Sequence, residues 1–284
     1  MNEDRCDLHC HSTFSDGTLT PTELVLLAKS LDLKALALTD HNTALGLTEF
    51  MEAGRNNSFT TVPGCEFTTE WNNKELHIVG LFFKEKYYQE IQDYVEIMHL
   101  AKRNSNEKMI NLLRKDGYDI TFEEVLNMTS GDGFNRAHVA RALMAKGYVE
   151  SVSEAFSTLL KDGNGYYFPA KKLSALGTIR FIKTFGATAI IAHPFLNLTE
   201  EELRIFLPEA KENGLDAMET HYTEYSPAIQ ELAISMAKEF GIKESGGSDF
   251  HGETKPTISL GSGHGDLFVP YHFYEDMLSC TEDK

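Results

Sequence analysis

The chain has 284 residues, 42% hydrophobic and 24% charged, enough for one large α/β domain or for a domain of about 200 residues carrying an insertion. Lys and Arg total 26 against 43 Asp and Glu, a formal charge of −17, so the surface repels bare phosphate backbones and long duplex nucleic acid is excluded as a partner. No apolar run reaches the roughly 18 residues of a membrane span, and the start MNEDRCDLHC is polar and acidic, which excludes a membrane partner and makes a cytoplasmic protein the expectation.

Arg5–Leu8 reads as a strand. Thr20-Pro21-Thr22-Glu23 supplies an N-cap, a proline in the first turn and a capping glutamate for a helix running to about Leu31. Ala35–Leu38, Thr60–Cys65 and Glu75–Phe83 are the next strands, and a long amphipathic stretch from about Tyr87 to Lys115 is helix. From about Tyr94 to Ala170 the alternation stops: Thr121–Asn127, Arg136–Lys146 and Val152–Leu160 are helical and no strand is convincing. The rhythm then resumes with helix Ser174–Thr184, strand Ala187–Ala192, helix Glu200–Asn213, strand Asp216–Thr220, helix Pro227–Phe240 and strand Ile242–Ser245. Such alternation predicts a parallel α/β architecture. Its boundaries are 1–93 for the first part of a barrel, 94–170 for an inserted helical lobe and 171–284 for the second part. The glycine-rich segment 261–266 does not fit a phosphate-cradling loop and reads as a flexible loop. Cys6, Cys10, Cys65 and Cys280 form no CxxC pair and read as reduced thiols.

Candidate ligands fall at the ends of these strands. Ala35–Leu38 leads into Thr39-Asp40-His41, Thr61–Cys65 into Glu66, Ala189–Ala192 into His193, and Asp249 and His251 follow the strand near Ile242. In barrels of alternating strands and helices the C-terminal strand ends share one face, and that face holds the active site. His9 and His11 flank Cys10, and the two-residue strand repeat turns both imidazoles to one side. Mixed imidazoles and carboxylates suit Mn²⁺, Fe²⁺ or Zn²⁺ better than Mg²⁺.

Taken in order, HCHSTFSDGT, LTDHNT, GCEFTT, HIVGL, IAHPF and GSDFH resemble the motifs of the PHP (polymerase and histidinol phosphatase) domain family, across nearly the whole chain. Within it the chain is most similar to stand-alone phosphoesterases that act on nucleoside bisphosphates or on the 5′ ends of short RNA. The resemblance implies a distorted (β/α)7 barrel with two or three divalent metal ions, held by His9, His11, Asp16, His41, Glu66, His77, His193, Asp249 and His251. By family pattern, His9, His11, Glu66 and Asp249 hold one metal. Glu66 bridges to a second held by His77 and His193, and Asp16, His41 and His251 hold a third. Locally, Asp16 reads as a turn residue and His77 as a core histidine; only the motif match makes them ligands. Asp40 is expected to be a supporting acid and not a ligand. Asn42 and Cys65 depart from the residues usual at their positions without removing a ligand.

Asn135–Arg141 resembles the segment with which stand-alone relatives hold substrate phosphate. Arg136 is thereby the expected phosphate clamp, with a guanidinium fork suited to bidentate binding at a helix start. His138 contacts phosphate, protonates the leaving group or packs. Lys171 or Lys172, after Tyr166-Tyr167-Phe168-Pro169, supplies a second positive charge beside an aromatic platform. His99, His221, His264 and His272 lie outside the matched motifs, with His221 a supporting candidate.

The expected activity is hydrolysis of a phosphate monoester of a small nucleotide, with a nucleoside 3′,5′-bisphosphate as favoured substrate and short 5′-phosphorylated RNA as alternative. Metal-activated hydroxide attacks phosphorus, with Asp249, His193, Arg136 and His138 as the catalytic set. Two rivals are an amidohydrolase-like C–N hydrolase, against which Arg136 and the motif order argue, and a catalytically silent, metal-stabilised module, against which the intact ligand set argues.

Overall fold

A computed structural model of the chain describes residues 4–128, 136–161, 163–170 and 172–282. The elements are β1 (Cys6–Asp7), α1 (Pro21–Ser30), β2 (Ala35–Leu38), α2 (Leu47–Asn57), β3 (Thr60–Trp71), β4 (Lys74–Leu81), α3 (Tyr88–Lys115), α4 (Phe122–Leu126), α5 (Arg136–Ala145) and α6 (Val152–Ser157). They continue with β5 (Leu173–Ser174), α7 (Ala175–Thr184), β6 (Thr188–Ala192), α8 (Glu200–Glu212), β7 (Ala217–Tyr222), α9 (Pro227–Phe240), β8 (Lys243–Gly247) and α10 (His272–Ser279). Capping chemistry sets several boundaries: Thr20 with Glu23, Thr121 with Glu124 and Thr199 with Glu202 form reciprocal capping boxes that satisfy first-turn N–H groups.

The chain divides into two compact units, one of residues 1–95 with 173–284 and one of residues 96–172. In the first, the sheet runs β1-β2-β3-β4-β6-β7-β8, with short β5 paired to β3. The expected α/β barrel-like sheet is present, and its strand pairs are parallel except at β4, which pairs antiparallel with both β3 and β6. Asn72 and Asn73 sit at φ 49° and 61°, the two left-handed residues of a type I′ hairpin turn, which asparagine tolerates better than most residues. The chain therefore folds straight back between β3 and β4 without a crossover helix.

The residues after β1 close the sheet into a barrel. Leu8 N–H donates to Gly246 O at 3.2 Å, Asp249 N–H to His9 O at 2.9 Å and His11 N–H to Phe250 O at 2.9 Å. Alternate strand residues feed two apolar clusters. Ala35, Ala37, Val62, Val79, Ile190 and Ala217 form one, covered by Phe273 and Met277 of α10, while Leu36, Leu38, Ile78, Ile191 and Met218 pack with the helices. Both sheet faces are thereby buried, as parallel-type strands require. Segment 261–266, expected as a flexible loop, is tied down where Gly261 N–H donates to Asp7 Oδ2 at 2.8 Å.

The second unit, in its described residues, is helical around Met109, Leu113, Ile120, Val125, Val139, Leu143 and Leu160. Among the described residues no helix is long and apolar enough to cross a membrane.

The seam between β1 and β8 has no room for a side chain at Gly247, where a Cβ would lie 2.3 Å from His9 Cβ. Gly247→Ala is expected to cost about 3 kcal/mol through overpacking, read from urea denaturation midpoints at unchanged slope; an unshifted midpoint would contradict so tight a seam.

Candidate metal centre

The barrel brings seven predicted residues to one end by simple geometry. His9 and His11 extend from β1, His41 from β2, His193 from β6, and Asp249 and His251 from β8, while Glu66 lies within β3 and bridges backbone-to-backbone with His41. His77 lies early in β4, opposite Thr68 of β3 and Ala192 of β6. Because β4 runs against its neighbours, its beginning meets their C-terminal ends. Asp16 arrives from the loop after His11. Three residues at or beside this end adopt positive φ: Asn42 at 49°, His193 at 28° and Asp249 at 54°. Such conformations persist in non-glycine residues only where surrounding structure enforces them.

Glu66 is the hub. Its fully buried carboxylate meets His77 Nδ1 at 2.7 Å, His41 Nδ1 at 2.8 Å, His193 Nε2 at 3.0 Å, His9 Nε2 at 3.3 Å and His11 Nε2 at 3.4 Å. His9 Nε2 and His11 Nε2 are 3.1 Å apart, close to the spacing of two nitrogens bound to one ion at about 2.1 Å. His11 Nε2 lies 3.1 Å from Asp249 Oδ1, and His251 Nε2 lies 3.2 Å from Asp16 Oδ1.

Among the described residues, four groups converge closely enough to hold ions: His9, His11 and Asp249; His9, Glu66 and His193; His41, Glu66 and His77; and His11, Asp16, His41 and His251. His41 thus stands with Glu66 and His77 as well as with Asp16 and His251, so the grouping is more shared than the family pattern implies. Glu66 Oε2 and His41 Nδ1 are buried and face each other at 2.8 Å without the direction of a hydrogen bond. Buried polar atoms are nearly always satisfied. This orphaned pair, together with the donor chemistry, fits divalent metal.

Charge is balanced within the cluster. Burial would raise the Glu66 carboxyl, but His41, His77 and His9 outweigh it and hold it well below the usual carboxylate range. Burial, reinforced by the facing imidazoles of His41 and His251, drives His11 down to about 3, so it is neutral at pH 7. Burial also lowers His77, but the Glu66 and Glu75 carboxylates overcome that and lift it to about 10.

Residues that touch the candidate ligands without joining their groups complete the site. Glu219, on β7, accepts from His9 Nδ1 at 2.7 Å through one oxygen and from the His193 backbone N–H at 2.7 Å through the other. This carboxylate–histidine arrangement fixes the imidazole tautomer and leaves Nε2 for metal. Asp40 is indeed a supporting acid, accepting from Ser12 N–H at 2.7 Å and from the Ser12 and Ser15 hydroxyls at 2.6 Å. Asp7 accepts from the backbone N–H groups of His9 and Ser248 and from the Ser248 hydroxyl, joining the strands that carry the HxH pair and Asp249. Asp249 Oδ2 accepts from Tyr222 Oη and Lys255 Nζ. Glu219, Tyr222 and Lys255 escape the motif reading. For Glu219 the available signal is an acid in the apolar strand AMETHY, where a buried carboxylate must have partners.

In the second unit, Arg136 Nη1 donates to Leu160 O at 3.1 Å, and its guanidinium lies 3.9 Å from the Tyr167 ring centre and 5.0 Å from that of Phe156. With Lys102, Ser105 and Asn106 it lines a concavity of about 350 Å³. His138 is half-buried on α5 and Lys172 is exposed, while Lys171 lies outside the described residues. His221 Nδ1 is 2.9 Å from Thr220 Oγ1, and His264 pairs with Glu224.

A model of the PHP domain family matches residues 7–168. The chain belongs to the PHP domain family. It is 33% identical over 246 residues to a 5′-3′ exoribonuclease of Haemophilus influenzae, covering 86% of this chain and 89% of the relative. It is 26% identical over 254 residues to a 3′,5′-nucleoside bisphosphate phosphatase of Chromobacterium violaceum, covering 86% of each. A crystal structure from Bifidobacterium adolescentis, assigned as a metal-dependent phosphoesterase, superposes with a TM-score of 0.70 at 28% identity, covering 99% of this chain and 97% of that one. This PHP protein is a metal-dependent phosphoesterase.

Two outcomes follow from the geometry. Glu219→Gln is expected to weaken metal binding about 10- to 100-fold, measured by competition with a chelator of known affinity. The His77–Glu66 pair stabilises the metal-free fold fully below the ordinary histidine pKa of 6.5 and loses that contribution as pH rises through about 10. Metal needs the neutral imidazole, so loading at pH 7 should release protons in weakly buffered solution and apparent affinity should climb towards pH 10; pH-independent loading would contradict the pairing.

Proposed function

We propose that this PHP protein hydrolyses the phosphoester at O3′ of a nucleotide bearing a 5′-phosphate. One bond unites the two activities named for its relatives. In a nucleoside 3′,5′-bisphosphate that phosphorus carries no further ester; in short RNA it is also esterified to O5′ of the next nucleotide. A water oxygen bonds to phosphorus, the P–O3′ bond breaks, and O3′ takes a proton. The products are a 5′-mononucleotide with either inorganic phosphate or an RNA one residue shorter. The sequence favours the bisphosphate through its charge of −17, since a processive nuclease needs a basic track. The higher identity to the exoribonuclease supports extending the class to short 5′-phosphorylated RNA.

The observation that carries the reading is the convergence of five imidazoles on the buried Glu66 carboxylate, with Asp249 beside two of them. In it, His9, His11, Asp16, His41, Glu66, His77, His193, Asp249 and His251 would hold two or three divalent ions, whose contribution is to activate water near neutral pH and to neutralise phosphoryl charge. Glu219 keeps His9 and the His193 backbone in register with Glu66. Arg136 binds the 5′-phosphate: its guanidinium lies 3.9 Å from the Tyr167 ring centre and donates through Nη1 to Leu160 O, so its position is supported from within its own unit, and guanidinium suits phosphate. His138 and Lys172 are secondary phosphate contacts, as is Lys171.

Asp249→Ala should abolish turnover and lower metal content. Arg136→Ala should raise KM about 30- to 100-fold, the loss of a charge-assisted contact of about 2–3 kcal/mol, with metal content unchanged. The deciding experiment incubates Mn²⁺-loaded protein with adenosine 3′,5′-bisphosphate and, separately, with a short 5′-phosphorylated oligoribonucleotide, followed by chromatography against the Asp249→Ala blank. AMP from either substrate supports the reading and ranks the two. Absence of turnover on both, with metal confirmed bound, overturns it.

A further inference from the structure

The two oxygens of Asp249 have different surroundings. Oδ1 faces the imidazoles, 3.1 Å from His11 Nε2 and 3.6 Å from His9 Nε2. Oδ2 accepts from Tyr222 Oη at 3.0 Å and from Lys255 Nζ at 2.7 Å. The Asp249 side chain is 5% exposed and that of Lys255 38%, so the lysine stem reaches in from the surface. Its segment is anchored: Thr254 Oγ1 donates to Asp16 O at 2.8 Å, and Glu253 N–H to Thr18 Oγ1 at 3.0 Å. A cation held beside a cluster that fits metal ions is electrostatically unfavourable for metal binding. Its presence calls for a reason.

We propose that Lys255, together with Tyr222, is a positioning residue that confines Asp249 to coordination through Oδ1 alone. A carboxylate with both oxygens free can chelate an ion and fill two of its places. One whose second oxygen is saturated by an ammonium and a hydroxyl fills a single place. The other stays open for a reacting oxygen, as catalytic metal sites require. The inference rests on the reading of Asp249 as a ligand. It differs from a tether that merely steadies the carboxylate, because the two accounts predict opposite signs: loss of a tether weakens metal binding, whereas loss of a charge that opposes the ion and blocks chelation strengthens it.

The test compares Lys255→Met, Lys255→Arg and Tyr222→Phe with the full-length parent protein. Metal dissociation constants come from competition with a chromogenic chelator, visible absorption from the Co²⁺-loaded proteins, and kcat from the substrate turned over by the parent. Lys255→Met should bind Mn²⁺ about tenfold more tightly, the scale of one unit charge acting on a nearby divalent ion through a solvent-like dielectric. Its kcat should fall and its Co²⁺ bands weaken as coordination number rises. Lys255→Arg should restore both, and Tyr222→Phe should move the Co²⁺ bands in the same direction as Lys255→Met. Equal or weaker metal binding by Lys255→Met, with a parent-like thermal melt, overturns the proposal. A parent protein that binds no metal at all would instead remove the metal-centre reading, and this inference with it.

Discussion

Everything in the barrel's functional end depends on one expensive placement, the ionised Glu66 carboxylate with no exposure to solvent. An isolated buried carboxylate is strongly disfavoured, so its neighbours are dictated: imidazoles on every side, supplied by β1, β2, β4 and β6. Those imidazoles in turn need something other than protons if they are to remain neutral ligands at physiological pH, and a divalent ion meets that demand. The carboxylates further out follow the same logic. Glu219 sits behind His9, Asp40 behind the Ser12–Ser15 turn, and Asp7 beneath the seam of β1 and β8, and each has the donors a buried acid requires.

The reversal at Asn72-Asn73 has the same functional character. A strict β/α alternation would carry the start of β4 to the end of the barrel opposite the ligands. Running it backwards sets His77 against the C-terminal ends of β3 and β6, which is how a histidine near the beginning of a strand reaches a site built from strand ends. The turn is made by two residues that tolerate the left-handed region.

Much of this was legible in the sequence, for identifiable reasons. β2 and α9 match their expected bounds because short apolar runs and a Ser-Pro start leave little ambiguity. The candidate ligands at strand ends were readable because period-2 geometry makes His9 and His11 a pair and because polar residues terminate apolar strands. What remained hidden was non-local. The antiparallel β4 depends on a dipeptide turn inside a region read as strand and connection. α10 carries no motif, and its role is to cover apolar strand residues with Phe273 and Met277. Glu219 and Lys255 act through side chains 210 residues and 6 residues away in sequence from their partners, and neither separation leaves a local pattern. The sharing of His41 between two donor groups is likewise a property of packing.

The seam between β1 and β8 has a consequence for the order in which the protein matures. His9 and His11 leave the ribosome well before Gly246, Asp249 and Phe250, which pair with that segment but come some 240 positions later. At about 5–20 residues per second of synthesis, the two imidazoles wait on the order of ten seconds or more for the β8 segment. During that interval the pair is open to any transition metal that favours two adjacent imidazoles, before Glu66 and later Asp249 add the carboxylate oxygens that stand beside it in the folded barrel. The order in which the donors arrive, and not their final geometry alone, therefore bears on which ion the HxH pair meets first.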